Sequence, residues 1–202
     1  MTLSLARIAV NQIELGDYEK SLEANFRTLK IQEKLAAADP NNLQIHFDIA
    51  DVTMNIADSY ERMNKLPQAE ENYRKAISIA KEYLAKNPDY AKARSHLGQY
   101  YVLLAKLLLK KGDAAGALND FRSALTYLDS EPARSEVPDQ LAKTYEGIGD
   151  AMVSLKGKPL EAKEMYQKSL EIWQKLKEAN KLGDESAGKP DEVFQKISKI
   201  ST

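Results

Sequence analysis

Apolar side chains recur along this chain three and four residues apart, and no stretch shows the two-residue alternation of a half-buried strand. The pattern predicts helices near 3–15, 17–38, 41–63, 66–86, 89–111, 114–129, 133–156 and 160–180. A short further helix is predicted over Pro190–Ile200, with Val193, Phe194 and Ile197 on one face. The breaks between helices carry their own chemistry. Asp39-Pro40-Asn41 and Asn87-Pro88-Asp89 combine a proline, which cannot continue a helix, with side chains that cap the next one. Gly16-Asp17 and Gly112-Asp113 predict tight turns in which glycine takes left-handed backbone, and Asn64 stands in the equivalent place between them.

The helical stretches repeat one another. A first half-pattern runs large or aromatic, aliphatic, small, large, and reads Leu5, Ile8, Ala9, Gln12 at its first occurrence. It returns as Thr53, Ile56, Ala57, Tyr60, then as Tyr101, Leu104, Ala105, Leu108, then as Tyr145, Ile148, Gly149, Met152. A second half-pattern sets an aromatic between two small residues: Ala69, Tyr73, Ala76; Ala117, Phe121, Ala124; Ala162, Tyr166, Ser169. The first copy has the degenerate form Ser21, Asn25, Thr28. Small residues let two antiparallel helices approach closely, and the aromatic fills the space between neighbouring hairpins. A single hairpin cannot bury its own apolar face, so the copies must stack.

This double pattern resembles the tetratricopeptide repeat over nearly the whole chain. The resemblance implies an all-α fold: a right-handed α-solenoid of about four antiparallel helix hairpins with a C-terminal capping helix. Residues 1–183 form the array, with repeats at about 1–39, 40–87, 88–131 and 132–182, and 184–202 form a loop and the cap. The period departs from the family. Ser21 to Ala69 is 48 residues and Ala69 to Ala117 another 48, against about 34 in the common repeat. The simplest reading lengthens each helix by two turns, so that helices of about 22 residues stand about 33 Å tall. Ala117 to Ala162 is 45, because Pro132 arrives one helical turn early while the loop SLKGKPLEA carries one more residue.

The ends add expectations. The chain begins inside the first helix of its first copy, as a piece of a longer protein would or as a naturally short first hairpin would. EIWQKLKEANKL followed by GKPDEVFQKISK resembles the end of tetratricopeptide regions that follow bacterial Ser/Thr kinase domains, which implies a regulatory segment of a larger signalling protein.

Composition narrows the function. Lys plus Arg is 29 and Asp plus Glu is 30, a net charge of −1, without the basic excess of a nucleic-acid binder. With no cysteine, a disulfide scaffold, a thiolate metal site and a Cys nucleophile are all excluded. No apolar run reaches the ~18 residues of a membrane span, since Lys106 interrupts the longest, and the N-terminus has no signal-peptide form. A cytoplasmic location follows, or an extracytoplasmic one if the parent chain has a membrane anchor.

Candidate chemistry is sparse. His46 and His96 have no second histidine at helical spacing, so they read as rim residues and no metal or other cofactor is expected. Gly147 and Gly149 in YEGIGDAM look like a piece of a phosphate loop, but in the repeat frame they fall mid-helix, where close packing explains them. Asp48, Asp51, Asp58, Glu61, Glu146 and Asp150 lie on open helix faces, where carboxylates are solvated and do not work as acid–base pairs. Tyr60, Tyr73, Tyr101, Tyr145 and Tyr166 fall on packing positions, and Trp173 is expected against the cap.

What remains is the concave face. Residues offset from the packing positions are groove candidates by geometry: Arg7 in the first copy; Asp51, Met54, Asn55, Asp58 and Arg62 in the second; His96, Gln99, Val102, Lys106 and Lys110 in the third; Glu146 and Asp150, with Lys143, in the fourth. Some family members hold a peptide's C-terminal carboxylate with Lys and Asn residues, a set this chain does not reproduce. The expected function is therefore a non-catalytic protein-interaction module that binds a peptide or helix of a protein partner, with no nucleic acid and no membrane insertion. The alternative is self-association through the first hairpin, whose edge carries Leu3, Leu5 and Ile8. A remote alternative is an enzyme, which would need a closed pocket with convergent polar groups.

Overall fold

The computed structural model describes residues 12–13, 15–129, 137–156 and 159–200. Among these, every regular element is helical: α1 (Tyr18–Ala38), α2 (Leu43–Arg62), α3 (Leu66–Lys86), α4 (Ala91–Lys110), α5 (Ala114–Leu128), α6 (Val137–Ser154), α7 (Pro159–Glu178), a 3-10 turn (Asp184–Ser186) and α8 (Lys189–Lys199). The helices pack as consecutive antiparallel pairs. The chain divides into two compact units, Met1–Ala93 and Arg94–Thr202. The helix expected near 3–15 lies outside the described residues except at its end.

The turns form as their residues dictate. Gly16 and Gly112 have φ of 76° and 85°, and Asn64 has 57°. Around each, the next amide reaches back to a carbonyl five residues earlier: Asp17 N to Gln12 O at 2.8 Å, Lys65 N to Tyr60 O at 2.9 Å, Asp113 N to Leu108 O at 2.9 Å. That bond closes the outgoing helix. The aspartate following each glycine then caps the next helix, Asp17 accepting from the Lys20 amide at 3.2 Å and Asp113 from the Gly116 amide at 2.9 Å. Lys156 and Asn180 also take positive φ. Of these, Asn180 ends α7 by the same back-reaching bond, Lys181 N to Leu176 O at 2.8 Å. Helices α2 and α4 begin two residues later than expected. Each proline turn uses those residues for its own bonds, Asn42 N to Asp39 O at 3.1 Å and Tyr90 N to Asn87 O at 3.2 Å.

In the first unit, α2 packs against both α1 and α3. Val52 and Ile56 of α2 meet Leu22 of α1, with Leu29, Tyr60 and Met63 around them. At the other end of the pair, Phe47 and Tyr83 bring their ring centroids to 5.3 Å, and Tyr90 sits edge-on to Phe47 at 6.0 Å. Ser21, Asn25, Thr28 and Gln32 make one polar, buried stripe on α1. Ser21 meets the Ser59 hydroxyl at 3.2 Å and Thr28 donates to the Ala24 carbonyl at 2.9 Å. Among the described residues, the Asn25 and Gln32 side-chain oxygens are buried with no hydrogen-bond partner.

In the second unit, α5 and α7 pack on α6, and α8 packs on α7. Gly98 of α4 abuts Leu128 of α5, and Tyr101 stacks on Tyr127 with centroids 5.9 Å apart. The cap is built around Trp173, fully buried with Tyr166, Ala142, Leu176 and Val193. Val193 and the partly buried Ile197 take the inward face of α8 as expected, but Phe194 does not, being 60% exposed. At about 100° per residue, Phe194 is rotated a quarter-turn or more from Val193. The inward row is instead Val193, Lys196, Ile197 and Ile200, at i, i+3, i+4 and i+7.

The aromatic-between-small pattern is buried throughout. Tyr73, Phe121 and Tyr166 are no more than 3% exposed, and so are the small residues flanking them. In the first half-pattern, Tyr60, Tyr101 and Tyr145 are only partly buried, with Ile56, Leu104 and Ile148 doing the filling.

Candidate functional site

Arg7 lies outside the described residues. On α2, packing withdraws Val52, Thr53, Ile56 and Ala57 and leaves Asp51, Met54, Asn55, Asp58 and Arg62 at the surface, with Arg62 bonded to Asp58 at 2.9 Å. This pair holds the Arg62 guanidinium above its ordinary value, the Asp58 hydrogen bond being the main cause. On α4, His96 and Gln99 are partly exposed, His96 lying edge-on to Tyr100 at 6.3 Å, and Lys106 and Lys110 are exposed. Val102, 1% exposed, is core. Its position three residues before Ala105 turns it toward the packing layer. Among the described residues, no three His, Asp or Glu side chains converge on a metal position.

Three of the expected residues meet in one place in the second unit. Lys106, Glu146 and Asp150 line a cleft of about 270 Å³. Its floor is the Phe121 ring, which reaches it because position 147 is glycine: a Cβ there would lie 2.6 Å from Phe121 Cε2 and closer still to Cζ and Cε1. Lys143 of α6 and Lys189 and Lys196 of α8 complete the wall. The sequence reading set Lys143 on the groove face of α6 and gave neither α8 lysine a role. Their signal was the amphipathic row of α8: Lys196 stands three residues after Val193 on the inward side, where an apolar side chain would be expected.

The electrostatics of the cleft are specific. Lys196 Nζ donates to Glu146 Oε1 at 2.8 Å and to Asp150 Oδ1 and Oδ2 at 2.7 and 2.8 Å. The Tyr166 hydroxyl also donates to Asp150 Oδ1 at 2.7 Å, and Lys196 lies 5.6 Å from the Tyr166 ring centroid. Tyr73 makes the matching bond in the first unit, to Glu61 at 3.1 Å. Burial, then the acceptor carboxylates, push both phenols far above the ordinary tyrosine value. Withdrawal from water is the largest influence on Lys196 and favours its neutral form, yet the bonds to Asp150 and Glu146 outweigh it and raise the pKa. Lys143 pairs with Asp139 at 2.6 Å, and Lys189 with Glu192 at 2.7 Å and Glu146 at 3.7 Å.

Lys106 differs from the other three. Among the described residues it has neither a hydrogen bond nor an ion pair. Its side chain is exposed, yet the surrounding cleft walls crowd it and withdraw its ammonium in part from water. That crowding, and then the facing Lys143 ammonium, hold its pKa below the ordinary lysine value.

Residues 48–108 match the tetratricopeptide repeat family model. The structure of BtubC (BKLC) from P. vanneervenii superposes with a TM-score of 0.73 at 16% identity, over 97% of this chain and 70% of that one. The putative kinesin light chain with nearly identical TPR-like repeats from Podosopora anserina superposes with a TM-score of 0.62, also at 16% identity, over 98% of this chain and 93% of that one. No curated protein matches the chain in sequence. The fold is therefore that of tetratricopeptide-like helical repeats, and residues 48–108 are such repeat by sequence as well. The helices here, at 20 and 21 residues in α2 and α3, are the long ones that the 48-residue period called for. No helix among the described residues is long and apolar enough to cross a membrane.

Proposed function

We propose that this chain is a protein-interaction module and that a partner segment docks in the cleft of the second unit, against α4 and α6. Repeats of this fold are typically non-catalytic interaction modules. The observation that carries the reading here is the cleft itself: a half-open, pre-formed recess whose walls are charged and in which Lys106, alone of the four lysines, pairs with no acceptor among the described residues. The likeness of the C-terminal segment to kinase-attached regions supports a place for the module in a larger signalling chain.

The test is cross-linking of an identified partner, read by mass spectrometry, with wild type beside a charge-reversed double variant, Lys106→Glu and Lys110→Glu. The reading expects cross-links on α4 and α6 and weakened binding by the variant. Cross-links confined to α3, α5 and α7, with affinity unaltered in the variant, would overturn it.

A further inference from the structure

Four lysines face the cleft, and the acids beside them are also four: Asp139, Glu146, Asp150 and Glu192. Each carboxylate is engaged by a lysine, Asp139 by Lys143, Glu146 and Asp150 by Lys196, and Glu192 by Lys189. Three lysines are thus matched by protein acceptors and Lys106 is not. A protonated amine carries three donors and no acceptor, so what it lacks is an oxygen. The strongest acceptor for it is a carboxylate. A group with two negative charges suits the cleft less well. Counted with Asp139 and Glu192, which pair with two of its lysines, the recess is neutral, although its lining alone sets four lysines against Glu146 and Asp150; a second negative charge would face Glu146, only 7% exposed, and Asp150.

We propose that the cleft takes a single carboxylate, an aspartate or glutamate side chain of the docking partner, which bonds to Lys106 with Lys143 and Lys189 close by. The inference rests on the interaction reading above and names the chemistry of the partner at one position. Two features of the recess serve it. The Phe121 ring at the floor, admitted by Gly147, gives the methylene stem of an acidic side chain an apolar surface. Helix α8 supplies Lys189 and Lys196, so the seat exists only when the C-terminal helix is docked. Withdrawal from water, and then the facing Lys143 ammonium, hold Lys106 below its ordinary pKa, and a bound anion beside it would offset both.

The experiment uses the full chain with isotope-labelled lysine side chains and three blocked peptides: acetyl-Gly-Glu-Gly-amide, its Gln counterpart and its phosphoserine counterpart. The Glu peptide should shift the Lys106 side-chain resonances in a saturable way and raise the Lys106 pKa, while the Gln peptide leaves them unmoved. Lys106→Met should weaken binding about tenfold or more, the loss expected for one charge-assisted hydrogen bond. Lys106→Arg should retain binding, and Lys175→Met, on α7 outside the cleft, should not matter. Equal response to the Gln peptide, tighter binding of the phosphoserine peptide, unaltered binding by Lys106→Met, or no response of Lys106 at millimolar Glu peptide would each overturn the proposal. A cross-linked partner that binds wild type and Lys106→Met equally would sink the carboxylate seat and leave the interaction reading standing. A partner that cross-links only to the opposite helices would sink both.

Discussion

Replacing Gly147 with alanine sets two effects of opposite sign against each other. Alanine in a helix interior is favoured over glycine by about 1 kcal/mol. On propensity alone, Gly147→Ala, in the middle of α6, should stabilise the protein. The packing says otherwise. The added methyl would lie 2.6 Å from Phe121 Cε2, with Cζ and Cε1 nearer still. Carbon atoms settle at about 3.5 Å or more, so the ring must retreat by about 1 Å. It has nowhere to go: Phe121 is fully buried between Ala117 and Ala124. Overpacking of this kind costs about 1–3 kcal/mol and sometimes more. Contacts this short put the cost in the upper part of that range, about 2–3 kcal/mol, which leaves a net loss of about 1–2 kcal/mol, or a fall in melting temperature of about 2–8 °C for a chain of this length. The assay is thermal and urea unfolding followed by far-UV circular dichroism and by the fluorescence of Trp173, which reports on the second unit. Gly98→Ala is the internal comparison. Its methyl would meet Leu128 Cγ at 2.7 Å, in a side chain that is also fully buried but is smaller than a ring and less closely approached, so its loss should be smaller. If Gly147→Ala were as stable as wild type or more so, the account of why glycine stands at that position would be wrong.

Lys196→Met should loosen α8, because Glu146 and Asp150 lose their common cation. The cost for this partly buried network is about 1–3 kcal/mol, between that of exposed and fully buried pairs, and faster amide exchange confined to α8 and its contacts is the expected readout. The folded-state pKa of Lys196 is raised, so its stabilisation is complete below the ordinary lysine value of 10.5 and is lost as the pH climbs through the folded value. Wild type should therefore show an alkaline loosening of α8 that Lys196→Met lacks; the same alkaline profile in both would assign the step to another group. In the first unit, Asn25→Leu should stabilise by about 1–2 kcal/mol, since it removes a buried oxygen with no partner and restores an apolar residue where the other copies carry an aromatic. Destabilisation measured by urea unfolding would show that the polar stripe on α1 is needed.

The interior was legible where packing admits few residue types. Ala69, Tyr73 and Ala76 and their counterparts could be found by spacing alone, because only a small side chain lets two helices touch and only a large flat one fills the gap. The turns were legible for the same kind of reason: positive φ at positions 16, 64 and 112 favours Gly or Asn, although Lys156 shows that the preference is not absolute. The orientation of α8 was not. An eleven-residue helix offers two plausible apolar faces, and whether Phe194 or Lys196 turns inward depends on carboxylates some fifty positions earlier. The cleft was half legible. Lys106, Glu146 and Asp150 could be placed on helix faces by period, but their meeting with Lys189 and Lys196 depends on where the cap docks, and no local pattern encodes that.

The lysine at 196 also explains how a terminal helix can both close the stack and leave a recess open. An apolar residue there would have joined the apolar cluster of Val193 and Trp173, but it would have left Asp150 half-buried without a counter-charge and the buried Glu146 with only Lys189 at 3.7 Å, a heavier cost than the apolar contact returns. A lysine satisfies both acids through its far end, and the same ammonium lies 5.6 Å from the Tyr166 ring centroid. Val193 thus docks α8 on α7 while Lys196 ties it to α6, and Lys189 and Lys196 together wall the cleft. In this arrangement the C-terminal helix is more than a lid over apolar surface: the contact that docks it also shapes the site beside Lys106.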